Sequence, residues 1–469
     1  MKKALVKQLE DLCGQDRVYT KEEDLEHFSA DALGPYRAFR AASQLGRLPD
    51  AVVCPRSAEE VSRLLAFASK EGIPVVPYGG GTGVMGGASP VKGGIVLALK
   101  GLRRIVRVSP EDRVAVVEAG VVLEELEVAL NGQGLLLGHD PWSLPIATVG
   151  GAISTNGVGY RAGKYGVMGD QVLGLQAVLA SGQVIATKGV PKQAAGPDLT
   201  GLFIGSEGTL AVITEATLQV FPLPEKRSLY TLRFPTFEKG FEAVVAMHSL
   251  GLRPAMVDFA EQLPAEGTPD YGAAQVELNL GFEGFKEEVE AQERRALEMC
   301  LRHDGRDLGQ EAAKLFWENR HATAHRYKQE VLDRPPGRRR RRQWRMDYLH
   351  VALPTSRVLE FRSYCQRFLG EGGISAREWS IWGRPEFFSF MIADPEPPGA
   401  ETSLKMAAVV DHVLMAAQDM GGTMEYCHGV GLKLSHLMER EMGTAMGALR
   451  AIKSTLDPQG ILNPSKLGL

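Results

Sequence analysis

The chain has no run of about 18 apolar residues, so no membrane-spanning helix is expected. It has five cysteines, Cys13, Cys54, Cys300, Cys365 and Cys427, and no Cys-x-x-Cys. An odd, widely spaced set fits buried free thiols in a reducing compartment rather than a disulfide framework or a zinc site. After Met1-Lys2-Lys3 no apolar stretch follows, because Lys7, Glu10 and Asp11 interrupt it. A secretory signal is therefore not expected, residues 3–13 read as an amphipathic surface helix, and the expected location is cytoplasmic. Ser465-Lys466-Leu467 stands two residues short of the end, where a peroxisomal address is not read. The net charge of only -4 and 44% hydrophobic residues exclude a disordered chain. A near-neutral balance also argues against a nucleic-acid binder. Internal repeats are absent.

Glycine, in contrast, is abundant: 53 of 469 residues, or about 11% against a usual share of about 7%. Collagen's every-third-residue spacing is not followed. The glycines gather in clusters. Residues 51–224 alternate short β-branched runs with helical patterns, and Ser57 with Glu60 reads as a helix N-cap box. Strands are expected at 52–53, 73–77, 95–99, 114–117, 173–180 and 210–221, with a helix over 123–130. Pro222-Leu223-Pro224 punctuates the end of this region. Residues 225–415 hold less Gly. Helices are expected near 237–250, 284–303 and 356–369, and strands near 228–233, 274–280, 346–352 and 386–393. The stretch 416–469 is Gly-rich again and contains a helix over 442–456. The reading is an α+β protein of three parts, 1–224, 225–415 and 416–469.

The first cluster is Pro77-Tyr78-Gly79-Gly80-Gly81-Thr82-Gly83, with Gly86 and Gly87 just beyond. Successive glycines after a strand turn several N–H groups into one concavity, a nest for phosphate or pyrophosphate. Gly81 to Gly86 also matches G-x-G-x-x-G, but Ser89-Pro90 and Gly93-Gly94 follow where a Rossmann site needs a helix. No Gly-Lys-Ser/Thr closes the loop, so it is not a Walker A loop. The second cluster runs from Gly138-His139-Asp140-Pro141-Trp142-Ser143-Leu144 to Thr148-Val149-Gly150-Gly151 and Ser154-Thr155-Asn156-Gly157. Small residues interspersed with hydroxyls and amides suit a large flat ligand lying against backbone. The third is Gly205-Ser206-Glu207-Gly208, leading to Ile213.

Taken in this order, the three clusters resemble the FAD-binding oxidoreductases of the vanillyl-alcohol oxidase / p-cresol methylhydroxylase type over nearly the whole chain. Asp457-Pro458 through Asn463-Pro464-Ser465-Lys466 is similar to the closing D-P-x-G-I-L-N-P-x-K of that family. The resemblance implies FAD between two α/β subdomains, an α+β cap with an antiparallel sheet, and a C-terminal segment returning to the first domain. It assigns the FAD contacts to Pro77, Tyr78, Gly79, Gly80, Gly81, Thr82, Gly83, Gly86, Pro141, Ser143, Leu144, Thr148, Gly150, Gly151, Ser154, Thr155, Asn156, Gly157, Tyr165, Glu207, Gly208, Ile213, Asn463 and Lys466. With no His between Gly79 and Gly94, non-covalent FAD is expected.

Two branches are close. The D-2-hydroxy-acid dehydrogenases and glycolate-oxidase flavin subunits carry two His and a Glu for a divalent metal. Here Trp382 to Phe390 lacks both His, and Cys427 replaces the Glu before His428, so no metal is expected. The alkylglycerone-phosphate synthases resemble the chain at Gly138–Leu144 and Thr148–Thr155, yet of their three consecutive His only His428 is present. The resemblance makes His428 the proton acceptor beside flavin N5. Arg320 and Arg384 are the expected clamps for an anionic substrate. The activity implied is removal of hydride from an anionic hydroxy compound, a 2-hydroxy acid such as glycolate or D-lactate. The alternatives are synthase-like flavin transferase chemistry and an electron-passing flavin subunit. A homodimer or a partner subunit is the assembly to test. Arg338 to Arg342, with Arg334 and Arg345, reads as a solvated basic loop, attraction of an anionic substrate or headgroup being the second reading.

Overall fold

The structure, a computed structural model, describes residues 2–33, 40, 45–263, 274–333, 345–394 and 400–469. Its first sheet has four strands in the order Val18–Tyr19, Ala51–Val53, Ile95–Ala98, Val75–Tyr78. The last three run parallel. Such strands are covered on both faces, so they read as unbroken apolar runs rather than alternating ones. The helix Ala58–Glu71 supplies the crossover and buries Val61, Leu64, Leu65 and Ala68. Ser57 caps it by accepting from the Glu60 N–H at 3.3 Å. The helix Lys2–Cys13 buries Leu9 and Cys13 on the same core and leaves Lys7 and Asp11 exposed, as an amphipathic surface helix does.

A second sheet of five antiparallel strands follows, in the order Ile105–Ser109, Val114–Glu118, Val212–Gln219, Val172–Val178, Val184–Ala186. Helices Leu123–Asn131 and Val149–Thr155 pack on it.

Residues beyond 225 build a seven-stranded antiparallel sheet. Its order is Arg306–Asp307, Lys226–Arg233, Gln275–Gly284, Met256–Gln262, Ser375–Trp382, Phe387–Asp394, Arg345–Ala352. Side chains alternate between its faces. Phe259, Trp379, Phe388 and Phe390 point to a dry face that joins Phe237 and Phe361 of the helices Phe237–Ser249 and Val358–Glu371. Asp258, Ser380, Trp382, Ser389, Tyr348 and His350 occupy the alternate positions. Two of these strands, Met256–Gln262 and Ser375–Trp382, were not expected, because Asp258, Glu261, Arg377 and Glu378 break their apolar pattern. The helix Ala400–Asp419 was likewise not expected. The Arg338–Arg342 run lies outside the described residues.

The chain then returns to its first half. Leu462 bridges to Val75 of the first sheet, and Asn463 donates its N–H to the Val75 carbonyl at 2.9 Å. Lys453, on the helix Ala445–Leu456, holds this return in place. Its ammonium donates to the carbonyls of Thr209 and Leu462 at 2.8 and 2.9 Å and pairs with buried Asp457. Asp457 in turn accepts the N–H groups of Ile461 and Leu462. Lys453→Met should therefore leave a buried carboxylate without its cation, at a cost of about 3–5 kcal/mol. The expected result is a thermal unfolding midpoint lowered by several degrees; an unchanged midpoint would show the pair to be incidental.

Candidate active site

Between the first half and the seven-stranded sheet lies a cleft. Its two ends are made differently. At one end the wall is backbone. Gly79, Gly80, Gly81, Thr82 and Gly83 line it side by side with Thr148, Gly150 and Gly151. The two glycine clusters fit only because side chains are missing. A Cβ on Gly79 would stand 2.5 Å from Thr148 Oγ1, and one on Gly80 would stand 2.3 Å from the Ile146 carbonyl oxygen. Thr148 caps its own helix by accepting from the Gly151 N–H. Ser154, Thr155, Gly157, Gly208 and Ile213 continue the wall, as do Pro77, Pro141, Ser143 and Glu207.

At the other end the wall is side chain: Tyr160, Asp258, Trp382, Cys427 and His428. His428 is delivered by the C-terminal return. Its backbone N–H and that of Cys427 donate to Glu425 Oε1 at 2.9 and 2.7 Å. Two residues on, Val430 and Gly431 donate to the Glu207 carboxylate at 2.6 and 2.8 Å. The segment carrying His428 is thus clamped by carboxylates at both ends. Its ring meets that of His350 edge to face, 4.4 Å between centroids. Behind it a polar chain runs from His350 Nδ1 to Ser389 Oγ and on to the Tyr426 hydroxyl, 2.7 Å at each step.

Burial sets the charges. It pushes Glu207 up to about 7, although the Gly431 and Val430 N–H groups oppose the shift. Burial likewise lifts Asp31, on the glycine side, to about 6. His139 is driven down to about 4 by burial and is neutral at ordinary pH, with no hydrogen-bond partner at Nδ1 among the described residues.

Several expected site residues stand elsewhere. Tyr78 is buried behind the first loop and donates its hydroxyl to the Ala30 carbonyl, while Gly81, at φ +67°, rests on its ring. Gly86 packs on Leu432 and Leu33, and Leu144 is in the core of the second sheet. Asn156 is a left-handed helix cap whose Oδ1 accepts from Gly169. Asn463 and Lys466 brace the cleft from behind. Asn463 donates to the carbonyls of Gly87 and Glu207, and Lys466 donates to that of Ser89. Burial lowers Lys466 to about 8 against the pull of Glu207.

Neither arginine reaches the cleft lining. Arg320 donates through Nε to Asp140 Oδ2 at 2.9 Å, and its guanidinium lies 3.9 Å from the Trp317 ring centroid. Arg384 is half exposed, pairs with Glu386, and lines a separate cavity together with Tyr165. In their place the structure presents Tyr160, Asp258 and Trp382. Tyr160 follows Gly157-Val158-Gly159 directly, and that continuity is the one signal that could have marked it.

Gly80→Ala is the sharpest probe of the backbone-built end, since all three atoms nearest the added Cβ, in Ile146 and Ala147, belong to main chain. The variant should keep its secondary structure by circular dichroism yet lose uptake of the FAD that the sequence resemblance implies, read as absorbance near 450 nm.

Comparison with known proteins agrees with that implication. Residues 49–188 match the FAD binding domain model, and residues 223–467 match the model of the C-terminal domain of FAD linked oxidases. Glycolate oxidase subunit GlcD of Bacillus subtilis is 29% identical over 446 residues, covering 92% of this chain and 91% of that protein. A D-lactate dehydrogenase of Archaeoglobus fulgidus is 32% identical over 452 residues, 93% of this chain and 94% of that protein. Among solved structures, p-cresol methylhydroxylase superposes with a TM-score of 0.78 at 20% identity, covering 100% of this chain and 96% of that one. An alkyldihydroxyacetonephosphate synthase gives 0.77 at 22% identity, covering 99% and 86%. These two show the shared fold. With a glycine-walled cleft, two consecutive family models and relatives matched almost end to end, the chain belongs to the FAD linked oxidases, and FAD is its cofactor.

Proposed function

We propose that this FAD-linked oxidoreductase removes a hydride from the carbon of a CH–OH group, with His428 taking the hydroxyl proton. The observation that carries the reading is the delivery of His428 to the cleft wall on a backbone clamped by Glu425 and Glu207. FAD, when bound, supplies the acceptor for the hydride at flavin N5. The glycine loop 79–83 is the segment to hold its pyrophosphate, since its main-chain N–H groups can be approached without side chains intervening, and the Thr148–Gly151 helix start is the segment to lie along the flavin. No His stands between Gly79 and Gly94, and non-covalent binding is the reading retained.

The substrate's hydroxyl must lose its proton as the carbon loses hydride, and an imidazole is suited to accept it near neutral pH. His428 Nδ1 is buried, which makes Nε2 the nitrogen for the substrate. Edge-to-face contact with His350 restrains the ring. Tyr160 and Trp382 close the space over the reacting carbon and exclude water. The relatives named for glycolate and D-lactate make 2-hydroxy acids the first class to try. Arg320 is a positioning residue in this scheme, because its charge is committed to Asp140.

His428→Ala should retain FAD but slow anaerobic bleaching of the flavin band by D-lactate or glycolate by about 10²–10⁴-fold. Arg384→Ala should change that rate less than twofold. If the wild-type flavin is bleached by no hydroxy compound, the proposal fails.

A further inference from the structure

Asp258 is the one carboxyl at the substrate end of the cleft, and it has no hydrogen bond and no cation among the described residues. A carboxylate half-buried in a cleft with nothing to answer it is costly, and such groups concentrate at functional sites. Its neighbours are on every side known. Across one strand edge it faces Trp382, and across the other Asn279. Glu378, from the Ser375–Trp382 strand, adds negative charge. Tyr160 from the first half and Tyr426 from the C-terminal return are close enough for their own ionisation to feel it. Cys427 and His428 complete the wall. The cations that would favour a substrate carboxylate are committed elsewhere: Arg320 to Asp140, and Arg384 to Glu386.

Resting on the oxidoreductase reading for what meets the site, we propose that Asp258 is its specificity-determining residue. Ionised, it repels a substrate carboxylate and selects hydroxy compounds with a neutral or cationic donor. Protonated, it donates a hydrogen bond to a carboxylate and admits it. The same side chain thus decides, by its proton, which of two substrate classes enters.

Burial, with Glu378 adding to it, raises the Asp258 carboxyl to about 7, so both forms are present near neutral pH. The sign follows. Below that value the group is neutral and an anion is accepted; above it the group is an anion and binding of another anion weakens with each further unit of pH.

Oxalate tests this without turnover, because it is fully ionised near neutral pH and has no hydrogen to give up. Binding to the purified full-length protein is measured by calorimetry at pH 6 and pH 8. Wild type should bind about tenfold more weakly at pH 8, as expected when only the protonated form of a group titrating at about 7 binds. Asp258→Asn, whose amide cannot ionise, should bind equally at both values, at least as tightly as wild type at pH 6. Asp258→Ser is measured alongside and should also lose the pH dependence, should asparagine disturb the fold. Equal binding by wild type and variants at both pH values, absence of binding included, overturns the proposal. So does a pH dependence that survives the substitutions, which would assign it to another group of the cleft. Flavin bleaching by hydroxy compounds is scored separately, so failure of the oxidoreductase reading and failure of the Asp258 assignment are distinguishable.

Discussion

The cap sits where it does because of one buried carboxylate, Asp140. Its side chain is fully buried, and the groups that answer it come from both halves of the molecule. Arg161 of the first half lies 3.6 Å from it, and Arg320 and His321 of the cap lie 2.9 and 2.8 Å from it. Burial alone would raise the Asp140 carboxyl, but Arg161, His321 and Arg320 outweigh it and hold the group well below the usual carboxylate range. Arg161 also pairs with Glu127 and Glu283, and Trp317 packs against the guanidinium groups of Arg161, Arg227 and Arg320. A buried network of this kind is weak support for net stability, yet losing one member strands the others. Its consequence reaches the cleft, because the Asp140 carbonyl accepts the Tyr160 N–H, and Gly159 passes Asp140 only without a Cβ. The charge that fixes the seam also fixes a wall of the site, which is why Arg320 serves Asp140 rather than a substrate.

A second carboxylate does similar work for the C-terminal return. Glu207 belongs to the third glycine cluster, and its backbone adopts φ +50°. Its side chain takes the N–H groups of Val430 and Gly431, and its carbonyl takes the Asn463 amide. Gly429 and Gly431 are required there: a Cβ on the first would meet Glu207 Oε1 at 2.6 Å, and one on the second would meet the Met85 carbonyl at 2.2 Å. The fourth glycine group thus exists for the passage of the chain over Glu207 and Met85, and the reward is the placement of His428.

Most of this framework was legible in the sequence where the signal was local. Strand–glycine–strand punctuation marked the first loop, Ser57 and Glu60 marked a helix start, and the small residues of Thr148-Val149-Gly150-Gly151 marked a surface against which a flat ligand can lie, though not the helix they begin. What was not legible depended on partners distant in sequence. Arg320 looks like a free cation until Asp140, 180 residues away, is brought to it. Asn463 and Lys466 look like cleft residues until the glycine loops are seen lying between them and the cavity. The strands Met256–Gln262 and Ser375–Trp382 were hidden for a related reason. Asp258 and Glu378 spoil the apolar pattern because the face they occupy looks onto a site instead of a core, and sequence rules fail most informatively at such places.

The two ends of the cleft consequently stand under different constraints. The cofactor end is walled by closely packed glycines, so an added Cβ at Gly79, Gly80, Gly81 or Gly150 strikes a neighbour, and its shape is tied to the fold. The substrate end is one face of a sheet whose other face is dry. Phe259 and Asp258 are adjacent in sequence, but the first packs against Phe237 at 4.8 Å between ring centroids, while the second faces the cleft. Stability is carried on the aromatic side, and the polar side is held in register by it. Ser380, Ser389, His350 and Tyr426 satisfy one another along that polar face. Side chains such as Asp258 and Trp382 can therefore change without disturbing the core beneath them. A scaffold of this construction holds one cofactor by geometry that permits little variation, and leaves the choice of substrate to a few residues that the fold does not need.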